Sequence, residues 1–251
     1  MEYLFNINMS NKKKILLIFD FDKTIINDDS FGYYAIKMLT KEEKAVLFRG
    51  PKNQNWVIGF NLTLKMIKSH GTTLNEFNKV LEEIPLSKGM EELFSYIGKN
   101  KSKYETVIMS SNYQYVIFHL LKHYNIFDIF SEIICTPSRE SNSVEENQFV
   151  YVLDNKPHNC PNCNPCNCKS KDFNEFSISH DMNKYEKIVF IGDGWNDFCL
   201  AKELSVKDIV FARKNFVLYK KLFEENLKNS LKCKAEAWDD AKDIVKYLQS
   251  I

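Results

Sequence analysis

Apolar and polar positions along the chain fall into two alternating kinds of run. Lys14 to Phe19 (Lys-Ile-Leu-Leu-Ile-Phe) is continuously apolar and stops at acidic residues, the pattern of a strand covered on both faces of a parallel sheet. Thr106 to Met109, Glu132 to Ile134, Lys187 to Ile191 and Asp208 to Phe211 repeat it. Between these runs the apolar spacing is helical: Met90, Leu93, Phe94 and Ile97 within Gly89 to Ile97, and Val116, Ile117, Leu120 and Leu121 within Tyr113 to Tyr124. Ala241, Ile244, Val245 and Leu248 mark a last helix over Asp239 to Leu248. Strands alternating with helices predict an α/β protein, a Rossmann-like three-layer core around an open parallel sheet.

Two segments break the alternation. Residues 29–84 contain no strand run; they read as helical and aromatic, with a break at Gly50-Pro51 and a turn at Ser69 to Thr72. They predict a small helical subdomain inserted after the first strand, so that residues 1–28 and 85–251 form the core and 29–84 a cap. Ser138 to His180 is a long irregular excursion with one hairpin strand expected at Phe149 to Leu153, and loops of that length are usually functional or disordered. A length of 251 residues suits one large domain or a core with an appendage.

Composition narrows the classes. With 34 Lys+Arg against 33 Asp+Glu the net charge is +1, which gives no global field for nucleic acid or an anionic membrane. Lys12 to Lys14 and Arg213-Lys214 are short basic steps, not a continuous patch, so no nucleic-acid partner is expected. No run approaches the roughly 18 apolar residues of a membrane span, and the early lysines follow the weakly apolar start, the reverse of a secretory signal. Cytoplasmic residence is expected. Of seven cysteines, Cys160, Cys163, Cys166 and Cys168 crowd together, closer to metal-site or packed-loop spacing than to a disulfide framework. With His158 they offer tetrahedral ligands for a structural Zn²⁺. Two consecutive Cys-x-x-Cys steps share one cysteine, so reduced thiols that order the loop are the alternative reading.

The first apolar run ends Asp20-Phe21-Asp22-Lys23-Thr24. Ligands of open α/β sheets sit beyond the carboxyl ends of the strands, so these carboxylates face a crevice, either holding a hard cation such as Mg²⁺ or capping the next helix. Gly192-Asp193-Gly194-Trp195-Asn196-Asp197 follows another apolar run and adds two acids. Four acids at two parallel strand ends are poorly explained as caps.

Together these segments resemble the first and fourth motifs of the haloacid dehalogenase superfamily of phosphatases. The resemblance implies a Ser or Thr after the second core strand, matched by Ser110, and a lysine before the last motif, matched by Lys169 with Lys171 as a fallback. His158, Cys160, Cys163 and Cys168-Lys169 are similar in spacing to a signature of the phosphoethanolamine/phosphocholine phosphatase family, which includes pyridoxal phosphate phosphatases; Ile84-Pro85-Leu86 with Gly89-Met90 resembles that family's return from cap to core. The resemblance implies Asp20 as nucleophile, Asp22 as general acid and base, and Mg²⁺ held by Asp20, Asp193 and the backbone carbonyl of Asp22 with Asp197 orienting the group. Ser110, Ser111, Lys169, Gly194 and Asn196 would bind phosphate or substrate. The chain departs from the family at Ser110-Ser111-Asn112-Tyr113, where Ser-Asp-x-Asn is usual, and at Asp28-Asp29-Ser30, where Asn-Ser-Asp is usual.

The expected function is hydrolysis of a small phosphate monoester, with phosphoethanolamine or phosphocholine favoured and pyridoxal 5′-phosphate or thiamine monophosphate as alternatives. From another class, the chain could be a zinc-ordered interaction module on an inactive phosphatase-like core. Trp56, Phe60, Leu64 and Ile67 at helical spacing read as cap core, whereas Phe31, Tyr33 and Tyr34 read as candidates for an aromatic cage. His70 and His119 read as solvated or packed.

Overall fold

A computed structural model describes residues 13–48, 55–141, 147–153, 158–161, 163–165 and 167–251. Lys12, Gly50-Pro51 and Cys166 lie outside the described residues. Six strands form a parallel sheet: β1 (Lys14–Phe19), β2 (Tyr104–Tyr113), β3 (Glu132–Thr136), β6 (Tyr185–Gly192), β7 (Ile209–Arg213) and β8 (Lys234–Trp238), in the order β3-β2-β1-β6-β7-β8. A small antiparallel pair, β4 (Ser138–Glu140) with β5 (Val150–Val152), stands apart. The hairpin strand expected at Phe149 to Leu153 is therefore present as β5. β8 has no counterpart in the apolar pattern. It is an edge strand, Lys-Ala-Glu-Ala-Trp, with little beyond Trp238 buried, and so lacks a continuous apolar run.

β1 is buried along both faces because successive side chains point to opposite sides. Ile15, Leu17 and Phe19 join the cluster built with α5 (Met90–Lys99), α6 (Gln114–His123) and α10 (Lys242–Ser250). Leu16 and Ile18 join the cluster built with α7 (Lys169–Ser179) and α8 (Trp195–Ala201). This is the expected three-layer arrangement. Gly89 marks a tight junction in it: its φ is +80°, and an added Cβ would stand 2.1 Å from an oxygen of Asp240.

Between β1 and β2 lie α1 (Ser30–Met38), α2 (Lys41–Phe48), α3 (Trp56–Ser69) and α4 (Leu74–Glu82). Asp29 caps α1 by accepting from the Gly32 N–H, and Thr73 with Glu76 forms a capping box on α4; each cap contributes about 1 kcal/mol. The inner faces of these helices, with Leu64, Ile67, Phe77 and Leu81, merge with the sheet-side cluster that contains Phe19 and Leu120. The chain leaves and re-enters the sheet through two paired segments. Asn27 N–H donates to the Pro85 carbonyl (2.8 Å) and Ser87 N–H to that of Ile25 (2.9 Å). Asn61 of α3 clasps β5 by donating to the Val152 carbonyl (2.8 Å) and accepting from its N–H (2.9 Å). No helix among the described residues is long and apolar enough to cross a membrane.

Candidate active site

The strand order reverses at β1 and β6, and a crevice opens beyond their carboxyl ends. Asp20 follows β1, its N–H bonded to the Ile191 carbonyl of β6 (2.9 Å); Asp193 follows β6. Asp197 lies in the first turn of α8 and is fully buried. One of its oxygens accepts from the N–H groups of Asp193 (2.8 Å) and Gly194 (2.7 Å), and the other accepts from the Lys169 ammonium. An added Cβ at Gly192 would stand 2.5 Å from that carboxylate, so glycine is what lets the fastening close.

Lys169 opens α7 with no exposed surface and bridges Asp20 (2.6 Å) and Asp197. Burial works to lower its pKa, but the charges of Asp197 and Asp20 outweigh burial and hold it well above the usual lysine range. The fallback candidate, Lys171, instead pairs with Glu175 (3.8 Å).

Asp22 is held from two sides. One oxygen accepts from the Ser30 N–H (2.8 Å) and the other from the Asn112 side-chain amide (2.8 Å), which also reaches the Ser30 hydroxyl (2.7 Å). Asp22 therefore touches the start of α1, as a capping role would require, while lining the same crevice as Asp20 and Asp193. Burial, then the Asp29 charge, raises its pKa to about 7. Burial, then the Asp197 charge, raises Asp20 to about 6, with Lys169 working against the rise. Burial, then the Asp20 and Asp197 charges, raises Asp193 to about 9.

Carboxylate oxygens of Asp20, Asp193 and Asp197 lie within 4.8 Å of one another. This hard, oxygen-only donor set fits Mg²⁺. Asp197 is committed to the loop and Lys169, and of these three acids Asp20 and Asp193 are the ones that line the crevice.

The crevice is a cavity of about 260 Å³ that the carboxylates share with Lys23, Phe31, Trp56 and Phe60. Ser111, Asn112, Gly194 and Asn196 also line it. Ser110, expected as a phosphate binder, lies within β2, is fully buried and is not among the residues that line the crevice; its hydroxyl accepts from the Asn112 N–H (3.1 Å). The aromatic readings need correcting. Trp56, as the first residue of α3, sits at the cavity rim and is 42% exposed, while Phe60 faces the cavity as well as the core. Tyr34 is instead buried against Tyr113, and Tyr33 turns outward to Glu83 (2.9 Å). Arg213, weighed as part of a basic step, is buried and donates to the Lys23 carbonyl (2.6 Å) and the Asn27 side chain (2.5 Å), pinning the loop after β1.

A second cluster lies behind Lys169, where sulfur atoms of Cys160, Cys163, Cys168 and Cys199 lie within 4.8 Å of one another. Among the described residues the fourth thiol of this group is Cys199 of α8, and Cys166 lies outside them. Sequence reasoning missed Cys199, Asn112, Lys23 and Asp29. For Asn112 the available signal was a polar residue shortly after the apolar run Thr106 to Met109; for Cys199, a cysteine two positions after a motif aspartate.

The protein-family model described as "Putative Phosphatase" matches residues 15–251. The pyridoxal phosphate phosphatase of Bos taurus is 30% identical, covering 94% of this chain and 98% of its own. The phosphoethanolamine/phosphocholine phosphatase of Gallus gallus is 28% identical, over 96% of this chain and 90% of its own. A substrate-bound phosphoserine phosphatase structure is similar in fold, with a TM-score of 0.58 at 16% identity, over 94% of this chain and 99% of that one. A family match over nearly the whole chain, on a parallel-sheet fold with acids at the ends of β1 and β6, shows that the chain belongs to this family of haloacid dehalogenase-superfamily phosphatases.

Proposed function

We propose that the protein is a Mg²⁺-dependent phosphomonoesterase working through an aspartyl-phosphate on Asp20, and that its preferred ester carries a flat aromatic leaving group of the pyridoxal 5′-phosphate kind. An Asp20 oxygen attacks phosphorus as the bond to the leaving oxygen breaks, and Asp22 donates a proton to that oxygen. Asp22 then takes a proton from water as the water oxygen attacks phosphorus, which frees Asp20 and inorganic phosphate. An acid held near neutrality by burial suits both tasks. Lys169 beside Asp20 favours its ionised form and offers positive charge to offset that of the phosphate oxygens. Mg²⁺, when bound by Asp20, Asp193 and the Asp22 carbonyl, supplies charge neutralisation for the transferring group. Helices α1 to α4 act as a cap that covers the leaving group and limits water at Asp20.

The observation that carries the substrate reading is that Phe31, Trp56 and Phe60 line the same cavity as the carboxylates, with Phe31 and Phe60 edge-to-face at 4.9 Å. A further carboxylate of that lining, Asp29, is engaged with the Lys23 ammonium (3.3 Å) and the Gly32 N–H (3.1 Å), which leaves little for a primary amine. The same rings favour a second reading, phosphocholine, because aromatic faces also hold quaternary ammonium groups.

Phosphate release from pyridoxal 5′-phosphate, phosphocholine and phosphoethanolamine with Mg²⁺ tests this. The expected order of kcat/KM is as written, with pyridoxal 5′-phosphate ahead of phosphoethanolamine by about tenfold or more, the equivalent of about 1.4 kcal/mol. Phosphoethanolamine in first place would overturn the aromatic reading. Release from none of the three would overturn the phosphatase reading with it.

A further inference from the structure

We propose that Cys160, Cys163, Cys168 and Cys199 together hold a structural zinc ion. The Cys199 sulfur stands 3.8 Å from that of Cys160 and 3.5 Å from that of Cys163. Four sulfurs around a zinc at about 2.3 Å stand about 3.8 Å apart along the edges of the tetrahedron. A disulfide would bring two of them to about 2.05 Å, and these cysteines are unpaired. Thiols packed for apolar contact alone do not require four sulfurs from two separate chain segments to converge on one point. The surroundings are built to hold them. His158 accepts from the Cys160 N–H (3.1 Å) through Nδ1 and meets the Asn164 carbonyl (2.7 Å) through Nε2, bracing the loop without being drawn to the sulfurs. Cys168 occupies the N-cap position of the eleven-residue α7, where the loop passes into that helix.

The placement gives the ion a task. Cys168 is bonded to Lys169, and Cys199 lies two residues beyond Asp197. The sulfur site therefore fastens the start of α7, which carries the buried lysine, to α8, which carries its carboxylate partner. Four thiolates close the coordination shell, leaving no open position for substrate or water, and ligand formation releases the thiol protons to solvent. The sequence spacing alone pointed to Cys166 as fourth ligand. The structure assigns that place to Cys199, which the spacing of the loop cysteines does not reveal.

Metal analysis of the full-length protein, purified without added zinc, reads the proposal without any turnover measurement, so its failure is distinct from failure of the phosphatase reading. The expected content is about one zinc per chain. Replacement by cobalt should give a sulfur-to-metal charge-transfer band and the intense visible absorption of a tetrahedral thiolate site. Cys199→Ser should drop zinc well below stoichiometric and weaken the charge-transfer band, whereas Cys166→Ser and Cys135→Ser should retain the full content. If Cys199→Ser does not fold, the cobalt spectrum of the unaltered protein and the Cys166→Ser content still decide. Zinc-free, fully folded protein that also gives no thiolate–cobalt band would overturn the proposal, as would loss of zinc in Cys166→Ser with retention in Cys199→Ser.

Discussion

The two ends of the active-site cavity are built by different rules. In the proposed reaction the phosphate end is made by Asp20, Asp193, Asp197 and Lys169, ionisable side chains that are buried and linked through Lys169 and the Asp197 carboxylate, on elements fixed by the parallel sheet. The proposed leaving-group end, with Phe31, Trp56, Lys23 and Asp29, is partly exposed and comes from the helices between β1 and β2 or the loop before them. On the proposed mechanism, the chemistry that depends on close placement falls to the tightly bonded part, and substrate choice to side chains that can change without disturbing that placement.

This contrast can be broken most directly at Asp20. Asp20→Asn should reduce kcat by about 10⁴-fold or more while circular dichroism stays unchanged; phosphate release at the original rate would remove the nucleophile from the scheme. Lys169→Gln strikes the same end and should cost both activity, about 10²- to 10³-fold in kcat, and stability. A buried ion pair that loses one partner costs about 3–5 kcal/mol, readable as a lower denaturant midpoint. Asn112→Ala frees one Asp22 oxygen; about 10- to 100-fold in kcat with KM little changed is expected from misplacement of the acid. At the other end Trp56→Ala should lower kcat/KM for pyridoxal 5′-phosphate by about tenfold and leave phosphoethanolamine nearly unaffected. Equal losses on both esters would show that the two ends are not separable. The smallest effect is expected from Lys23→Ala, which frees Asp29; with an exposed pair worth about 0–1 kcal/mol, kcat/KM for phosphoethanolamine should rise only about two- to fivefold.

The same contrast governs what could be read from sequence. β1, β2, β6 and β7 were legible because strands covered on both faces must be apolar throughout, and Asp20 and Asp193 because charge directly after such a strand has few structural uses. β8 escaped because an edge strand needs only one buried anchor, here Trp238. Lys169 was legible through family resemblance and not through its spacing, since nothing local marks a lysine for burial. Asn112 and Cys199 act through partners far along the chain, Asp22 and Cys163, and such convergence exists only once the sheet is assembled. Trp56 was misread as core because helical periodicity does not say which side the first turn of a helix presents.

The position of β1 in the sheet bears on how the molecule is made. β1 is the first strand described, yet it ends at the centre, with Phe19 paired to Ile108 on one side and to Ile191 on the other. During synthesis from the amino terminus it cannot gain its second neighbour until β6 has left the ribosome. Until then a fully apolar strand is open along one side, and parallel pairing over such separations is intrinsically slow. Asp20 thus comes into register with Asp193 only when most of the polypeptide has emerged. A nascent chain arrested before β6 should be inert towards phosphate esters, prone to aggregate and dependent on chaperones.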